Sequence, residues 1–307
     1  MIRAPLGNQT YWDKWIEYSH ARTIKMVTAL ALPSNNSIYD PQYSFDAAIE
    51  FCRLIFERYS RGDPIPELAQ HFAGLLDAWE LSNKLAAELN AQLKPGEGWD
   101  HRHLGTAALI SSDPRSHNDP RAWVFALSNL NHYNWCFWLV GLGLTLEIPE
   151  TQWLRLVALV GGEGQDALLD RVMATRQQGR VIGTALLHKK PYARLLKALD
   201  APHDQQTQLL REFVENWYAE LARKGNEELW WYIFGDPVKN PLETGSYFGR
   251  WCIEATAAVK AFGMDDSLCL GHEHYPGDLL RPNGPSTHAQ RQEPNRGFFG
   301  KLFDRKP

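Results

Sequence analysis

Apolar residues recur at spacings of three and four along most of this chain, the pattern of helices that bury one face. Leu and Ala together number 69 among the 307 residues, whereas Val and Ile number 22, so the composition also favours helix over sheet. We predict an all-α fold, a single bundle-like body of about ten helices followed by a flexible C-terminal tail. Helices are expected at 11–31, 44–60, 67–93, 121–145, 150–160, 164–177, 179–188, 191–199, 205–224, 227–234 and 246–262.

One stretch of the chain contains no Asp, Glu, Lys or Arg: NLNHYNWCFWLVGLGLTL at 129–146. Its length approaches that of a membrane-spanning helix, which needs about 20 mainly apolar residues. Three Asn and one His fill its first third, which argues against a helix surrounded by lipid. We therefore predict a fully buried central helix.

The net charge of −4 is unevenly distributed along the chain. Residues 1–281 carry 27 basic and 34 acidic side chains, a net charge of −7, whereas residues 282–307 carry five basic and two acidic ones, a net charge of +3. Proteins that bind nucleic acid directly present a basic face. The acidic body therefore argues against a nucleic-acid ligand and is compatible with a basic protein partner.

The four cysteines form no Cys-x-x-Cys pair, and Cys52, Cys136 and Cys252 lie within apolar helical patterns. Such cysteines are typical of buried thiols in a reducing compartment and exclude a zinc ribbon. The first residues also lack the apolar stretch of a signal peptide. We expect a cytoplasmic protein with no membrane partner.

Carboxylates line one side of several predicted helices. Solvation accounts for most such faces, but together they would offer charge complementarity to a basic ligand. The candidate partner-binding residues are Asp46, Glu50, Asp77, Glu80, Glu212, Glu215, Glu227 and Glu228, and Glu57, Glu88 and Glu220 extend the same faces. The helix-spaced pair Asp166 and Asp170 is also interpreted as a solvated face rather than an acid/base dyad.

Polar residues are concentrated between 245 and 279. Glu254 lies within the wide apolar arc of the predicted helix 246–262, so we expect it to be buried beside an Arg or a backbone donor. Glu254 is also a candidate general base, although a buried Glu more often has a structural role. Asp265 or Asp266 with Ser267 predicts a helix cap or an Asx-turn.

His272 and His274 form a His-x-His pair, and Asp265, Asp266 and Asp278 are further candidate metal ligands. The spacings of known zinc motifs are absent, and the competing interpretation is a hydrogen-bonded loop that seals the fold. A second His-x-His pair at 101–103 is equally weak. No nucleophile elbow or phosphate-binding loop occurs, so the sequence predicts no catalytic residue, metal or cofactor.

The run from Tyr247 to Ser267, followed by Tyr275 to Leu279, resembles the C-terminal signature of the PoNe immunity (PoNi) family. That pattern is an aromatic-Gly-x-Trp-x-x-Glu-Ala-Ala helix, then Gly-x-Asp-Asp-Ser, then Tyr-Pro-x-Asp-Leu. Thr256 stands where the pattern has Ala. The matching positions are Gly249, Trp251, Glu254, Ala255, Asp265, Asp266, Ser267, Tyr275, Pro276, Asp278 and Leu279.

The resemblance implies a non-enzymatic, all-helical immunity protein that binds and neutralises a DNase toxin, delivered between competing bacteria, often by a type VI secretion system. It implies N-terminal and C-terminal family regions, expected at 1–130 and 131–281. No clear linker divides the chain before residue 281, so we expect the two regions to pack as one body, with a flexible basic tail at 282–307. Two alternatives stay open: a metal-dependent hydrolase that uses the His272–Asp278 loop, and a helical adaptor that uses the Phe-rich tail.

Overall fold

The computed structural model describes residues 1–34, 37–92, 127–224 and 228–289. Their secondary structure is helical, with no strand in these ranges, which confirms the predicted all-α class. The α-helices are α1 (Gln9–Leu30), α2 (Asp40–Arg61), α3 (Ile65–Leu68), α4 (Gln70–Gln92), α5 (Leu130–Thr145), α6 (Glu150–Val160), α7 (Ala167–Ala174), α8 (Lys189–Asp200), α9 (His203–Glu220) and α10 (Ile253–Phe262).

The N-terminal helices form a layer in which α2 lies between α1 and α4. The inner face of α2 carries Phe45, Ile55 and Phe56, which are buried in the core. The helix ends at Gly62, whose φ of 105° is a left-handed conformation that glycine adopts without strain. α2 therefore contributes to the core over most of its length.

α5 is the central helix, and all of its residues are buried. It packs against α10 so closely that a methyl group at Gly141 would lie 2.6 Å from the Ile253 side chain. Among the described residues, no helix has both the length and the apolar character needed to cross a membrane. The prediction of a buried central helix is confirmed, although the 121–126 part of the expected element lies outside the described residues.

Several predicted boundaries are shifted. α1 begins at Gln9 rather than after Thr10, because the Asn8 side chain accepts a hydrogen bond from the Tyr11 backbone N–H at 2.9 Å. The long helix predicted at 205–224 begins at His203, directly after Pro202. The predicted helix 227–234 is instead a 3₁₀-turn at Tyr232–Gly235 within its described part.

Two predicted helical stretches are irregular. Residues 179–188 form no helix, because the buried carboxylates of Asp170 and Asp166 accept the backbone N–H groups of Gly183 and Leu187 at 3.1 and 2.8 Å. The helix predicted from 246 begins only at Ile253. In both places side-chain packing from distant elements overrides a local helical pattern.

Candidate functional site

Gly249 and Trp251, two residues of the C-terminal signature, attach the chain before α10 to the end of α2. The Trp251 indole N–H donates to the Ser60 hydroxyl at 2.9 Å, and this hydroxyl donates to the Phe248 carbonyl at 3.0 Å. Gly249 has a φ of 108°, and a methyl group there would lie 2.2 Å from the indole nitrogen. This part of the signature therefore joins two distant segments of the fold.

Asp278 connects both ends of the described chain. Its carboxylate accepts hydrogen bonds from Arg3 at 2.6 Å, from Ser286 at 2.8 Å and from the Thr287 backbone N–H at 2.6 Å. Burial acts to raise the pKa of Asp278, but these hydrogen bonds outweigh burial and hold the pKa below its ordinary value. Asp278 is thus an ionised structural anchor.

Part of the predicted tail also packs on this anchor. His288 is buried, and its ring accepts or donates a 2.9 Å hydrogen bond with the Tyr59 hydroxyl while packing against Trp251. Ser286, Thr287 and His288 are therefore held against the body, and residues 290–307 of the predicted tail lie outside the described part of the chain.

The Asp-Asp-Ser segment forms the turn that the sequence predicted. Asp265 accepts a hydrogen bond from the Ser267 backbone N–H at 3.0 Å, which is an Asx-turn. Asp266 is buried, pairs with Arg281 and accepts the hydroxyl of Tyr275 at 2.6 Å. The two aspartates therefore have different structural roles, and both carboxylates already have partners.

The His272–Asp278 loop does not have the arrangement of a metal site. His274 Nδ1 lies 3.2 Å from the Arg250 carbonyl oxygen, and burial lowers the pKa of His274 to about 4. Within the described ranges, no group of three or more His, Cys, Asp or Glu side chains is placed to hold a metal ion. His101 and His103 lie outside those ranges. The competing interpretation, a loop sealed by hydrogen bonds, describes this segment.

Glu254 is fully buried, and a backbone donor contacts its carboxylate as expected from the sequence, whereas its side-chain partners are neutral. Its Oε1 atom accepts hydrogen bonds from the Tyr192 hydroxyl and the Asn134 amide, both at 2.9 Å. Trp231 in turn donates to the Asn134 carbonyl oxygen at 2.8 Å. Burial raises the pKa of Glu254 to about 7. The residue links α5, α8 and α10 through neutral partners.

The raised pKa makes Glu254 a source of pH-dependent stability. The native state binds this proton more tightly than the unfolded chain does, because the Glu pKa of the unfolded chain is only about 4.3. The contribution of the proton to the free energy of unfolding is therefore complete at pH values below this pKa. It is lost as the pH rises toward 7, the native pKa. We expect the advantage of the wild type over Glu254→Gln in free energy of unfolding to fall by about 3 kcal/mol between pH 4 and pH 8.

Urea denaturation of both proteins at each pH measures this difference. Comparing the variant with the wild type cancels contributions from other groups, including Glu57, whose pKa burial also raises to about 7. A difference that stays constant with pH would contradict the assignment to Glu254.

The carboxylates predicted on α2 lie mostly in the seam with α1. Glu57 is completely buried beside Arg53, with a 2.9 Å hydrogen bond, and Glu50 is only 8% exposed, 3.3 Å from Arg22. Asp46 is partly buried, which raises its pKa to about 6. The sequence placed these residues on one side of α2 correctly, but α1 covers that side, so little carboxylate surface is left for a partner.

The carboxylates predicted on α4 reach the surface. Asp77 and Glu80 both pair with Arg155 of α6, with N–O distances of 2.6 and 2.7 Å. Asp77 is 69% exposed, so its pairing is open to solvent. Glu88 lies 3.9 Å from Lys84 on the same helix. These residues present an acidic surface that Arg155 only partly neutralises.

The carboxylates predicted near α9 differ in exposure. Glu215 is exposed and pairs with Arg211 at 2.6 Å, whereas Glu212 is half-buried. Glu228 is exposed, and Glu227 lies outside the described residues. The predicted partner-binding residues that the structure describes are therefore distributed over α2, α4, α9 and the segment that follows α9.

The interpretation of Asp166 and Asp170 as a solvated face was wrong. Asp170 and Arg180 form a 2.7 Å ion pair in which both side chains are 1% exposed, so Asp170 does not belong to a solvated face. Asp166 is also buried and accepts from the Tyr133 hydroxyl and from the backbone N–H groups of Leu168 and Leu169. The spacing of two carboxylates along a helix cannot reveal the distant Arg that buries one of them.

Two family profiles match this chain. The profile described as PoNe immunity protein (PoNi), N-terminal, matches residues 3–158, and that described as PoNe immunity proteins (PoNi), C-terminal, matches residues 164–279. The chain belongs to the PoNe immunity protein family. PoNi proteins are immunity proteins rather than enzymes. In this PoNi protein the first profile ends within the last turn of α6 and the second begins shortly before α7. The division at residue 130 stays a prediction.

The solved structure of protein PA2201 from Pseudomonas aeruginosa has a similar fold. It superposes with a TM-score of 0.61 at 18% sequence identity, and the alignment covers 91% of the PoNi chain and 90% of PA2201. At this identity the similarity concerns the fold alone. No curated protein matches the chain.

The PoNi signature therefore has a mainly structural role in this protein. Its residues Gly249, Trp251, Glu254, Asp266 and Asp278 connect α2, α5, α8 and both ends of the described chain. Arg3 and Ser60, which complete these connections, carry no sequence signal of their own.

Proposed function

We propose that this PoNi protein neutralises a cognate PoNe-type nuclease toxin by forming a stoichiometric complex with it. Membership of the family over both its regions is the observation that carries this proposal. A nuclease presents a basic surface to DNA, and residues 1–281 of this chain have a net charge of −7. Charge complementarity would speed the encounter and favour the cognate partner.

We further propose that the protein acts in the cytoplasm of the producing or recipient cell, against a toxin delivered by a type VI secretion system. An immunity protein has to meet the nuclease before it reaches DNA. The buried thiols of the four cysteines are compatible with a reducing compartment.

A calorimetric titration with a toxin whose catalytic residues are disabled tests the proposal. We expect a one-to-one complex with a nanomolar Kd, about 12 kcal/mol of binding free energy, that weakens as salt concentration rises. Absence of binding would contradict the proposed function.

Two matched double variants test which acidic surface faces the toxin. Asp77→Asn with Glu80→Gln alters α4, and Glu212→Gln with Glu215→Gln alters α9. We expect the variant on the toxin-facing surface to lower the association rate by at least about threefold at low salt, because charge steering acts mainly on this rate. Unchanged rates for both variants would remove these residues from the interface.

A further inference from the structure

A cleft of about 610 Å³ opens where the N-terminal segment, α1 and the 3₁₀-turn Leu242–Thr244 meet. Its lining includes Leu6, Tyr11, Lys14, Trp15, Leu242 and Glu243. Clefts of roughly this volume are typical of ligand-binding sites in proteins, and the polar residues Asn8 and Thr10 also line this one. The C-terminal signature does not include these residues.

We propose that this cleft is where the toxin inserts an apolar side chain that is flanked by a Lys or Arg. The inference rests on the proposed function and adds the location of the contact and the chemistry of the toxin segment. Interfaces of this kind draw most of their binding energy from a few aromatic anchors in well-packed pockets.

The aromatic wall of the cleft is preformed. Trp15 packs directly on the backbone at Gly245, where a methyl group would lie 2.3 Å from the indole ring. The Tyr18 ring meets Trp15 edge-on at 5.5 Å, and the Tyr11 hydroxyl donates to the Tyr247 carbonyl at 2.7 Å. A wall held in this way loses little conformational entropy when a partner binds.

The apolar lining continues outside the cleft. Tyr18 is 51% exposed, and Trp15 beside it is half-buried. Adjacent aromatic rings on a protein surface are typical of partner-binding sites, because tyrosine and tryptophan gain contact area at low entropic cost. Tyr18 therefore extends the aromatic surface of the cleft along α1.

The charges at the cleft are divided between its two sides. The Lys14 ammonium group lies 4.5 Å from the centre of the Trp15 ring and keeps its positive charge on the α1 side. Glu243 is exposed, and in the described part of the chain it makes no ion pair. Its carboxylate is therefore available to a Lys or Arg of a basic toxin, which matches the acidic body.

The cleft also spans the two family regions. Trp15 belongs to the part matched by the N-terminal profile, whereas Leu242 and Glu243 belong to the part matched by the C-terminal profile. A toxin segment bound here would contact both regions at once. Variation on either side of the cleft would then change which toxin fits.

Affinity measurements with the catalytically disabled toxin test the inference. We expect Trp15→Ala and Glu243→Lys each to raise the Kd by about 30-fold or more, chiefly by faster dissociation. Val181→Ala is the control, because this residue is 61% exposed and belongs neither to the cleft nor to the acidic surfaces on α4 and α9, and the Kd of this variant is expected to change less than about twofold. Glu243 is exposed, so its variant stays folded even where Trp15→Ala is destabilised.

The outcomes separate the two proposals. If the wild-type protein does not bind the toxin, the proposed function fails. If it binds and both cleft variants keep wild-type affinity, the cleft inference is overturned while the proposed function stands.

A photo-crosslinking amino acid in place of Tyr18 identifies the occupant. We expect a crosslink to the toxin that disappears with excess unlabelled wild-type protein. A crosslink to residues 290–307 of the same chain, or to a second copy, in place of the toxin would overturn the inference.

Discussion

Replacing Asp170 by Ala is expected to lower the free energy of unfolding by about 3–5 kcal/mol. The Arg180 guanidinium would then remain buried without its carboxylate, which lies 2.7 Å away in the native protein. The backbone N–H groups of Asp166 and Gly183, both 3.1 Å from Asp170 Oδ2, would also lose their acceptor. Urea denaturation followed by circular dichroism measures the loss.

Asp200→Ala is the matched control, because Asp200 pairs with Arg171 at 2.6 Å but is 58% exposed. Water replaces an exposed partner, so we expect this variant to lose less than about 1 kcal/mol. A double replacement of Asp170 by Leu and Arg180 by Met should lose less than Asp170→Ala, since it leaves no unpaired charge. If Asp170→Ala and Asp200→Ala lose the same free energy of unfolding, burial of the ion pair does not determine the size of the loss.

Gly249→Ala is expected to lower the free energy of unfolding by about 3 kcal/mol or more. The φ of 108° is unfavourable for alanine, and the added methyl group would lie 2.2 Å from the Trp251 indole nitrogen and 2.6 Å from the Ser60 hydroxyl. The bond between Trp251 and Ser60 would have to break, and the segment before α10 would separate from α2. Thermal denaturation and the near-ultraviolet circular dichroism of tryptophan report this change.

Gly179→Ala separates the steric effect from backbone strain. Gly179 also has a positive φ, 82°, but no atom lies within 4 Å of the position of an added methyl group. We expect this variant to lose only about 1–2 kcal/mol, the cost of a left-handed alanine. If both variants lose the same amount, the close packing around Gly249 has no measurable effect.

Helices with local signals could be predicted from the sequence. α5 is the clearest case, because a stretch without charged residues has to be buried wherever the chain places it, and every residue of the helix is buried. The Asx-turn at Asp265 could be predicted for a similar reason, since its donor lies two residues away at Ser267. In such cases the partners are neighbours in the sequence.

Irregular segments could not be predicted in this way. Residues 246–252 carry an apolar helical pattern, but Gly249 and Trp251 fit against Ser60, about 190 residues earlier in the chain. Residues 179–188 are irregular for a similar reason, because backbone N–H groups of this segment donate to the carboxylates of Asp166 and Asp170. A local pattern contains no information about an acceptor that only the folded chain brings close.

The candidate site shows the same difference between local sequence information and tertiary packing. The sequence determined the helical class, the acidic body and the resemblance of the signature residues, because these follow from composition and from motifs read within short windows. Only the tertiary structure decided that Glu50 and Glu57 lie beneath α1, that Glu254 is held by Tyr192 and Asn134, and that Trp15 and Leu242 line one cleft. Exposure and contact depend on which distant elements pack together, and that packing is settled by the whole core.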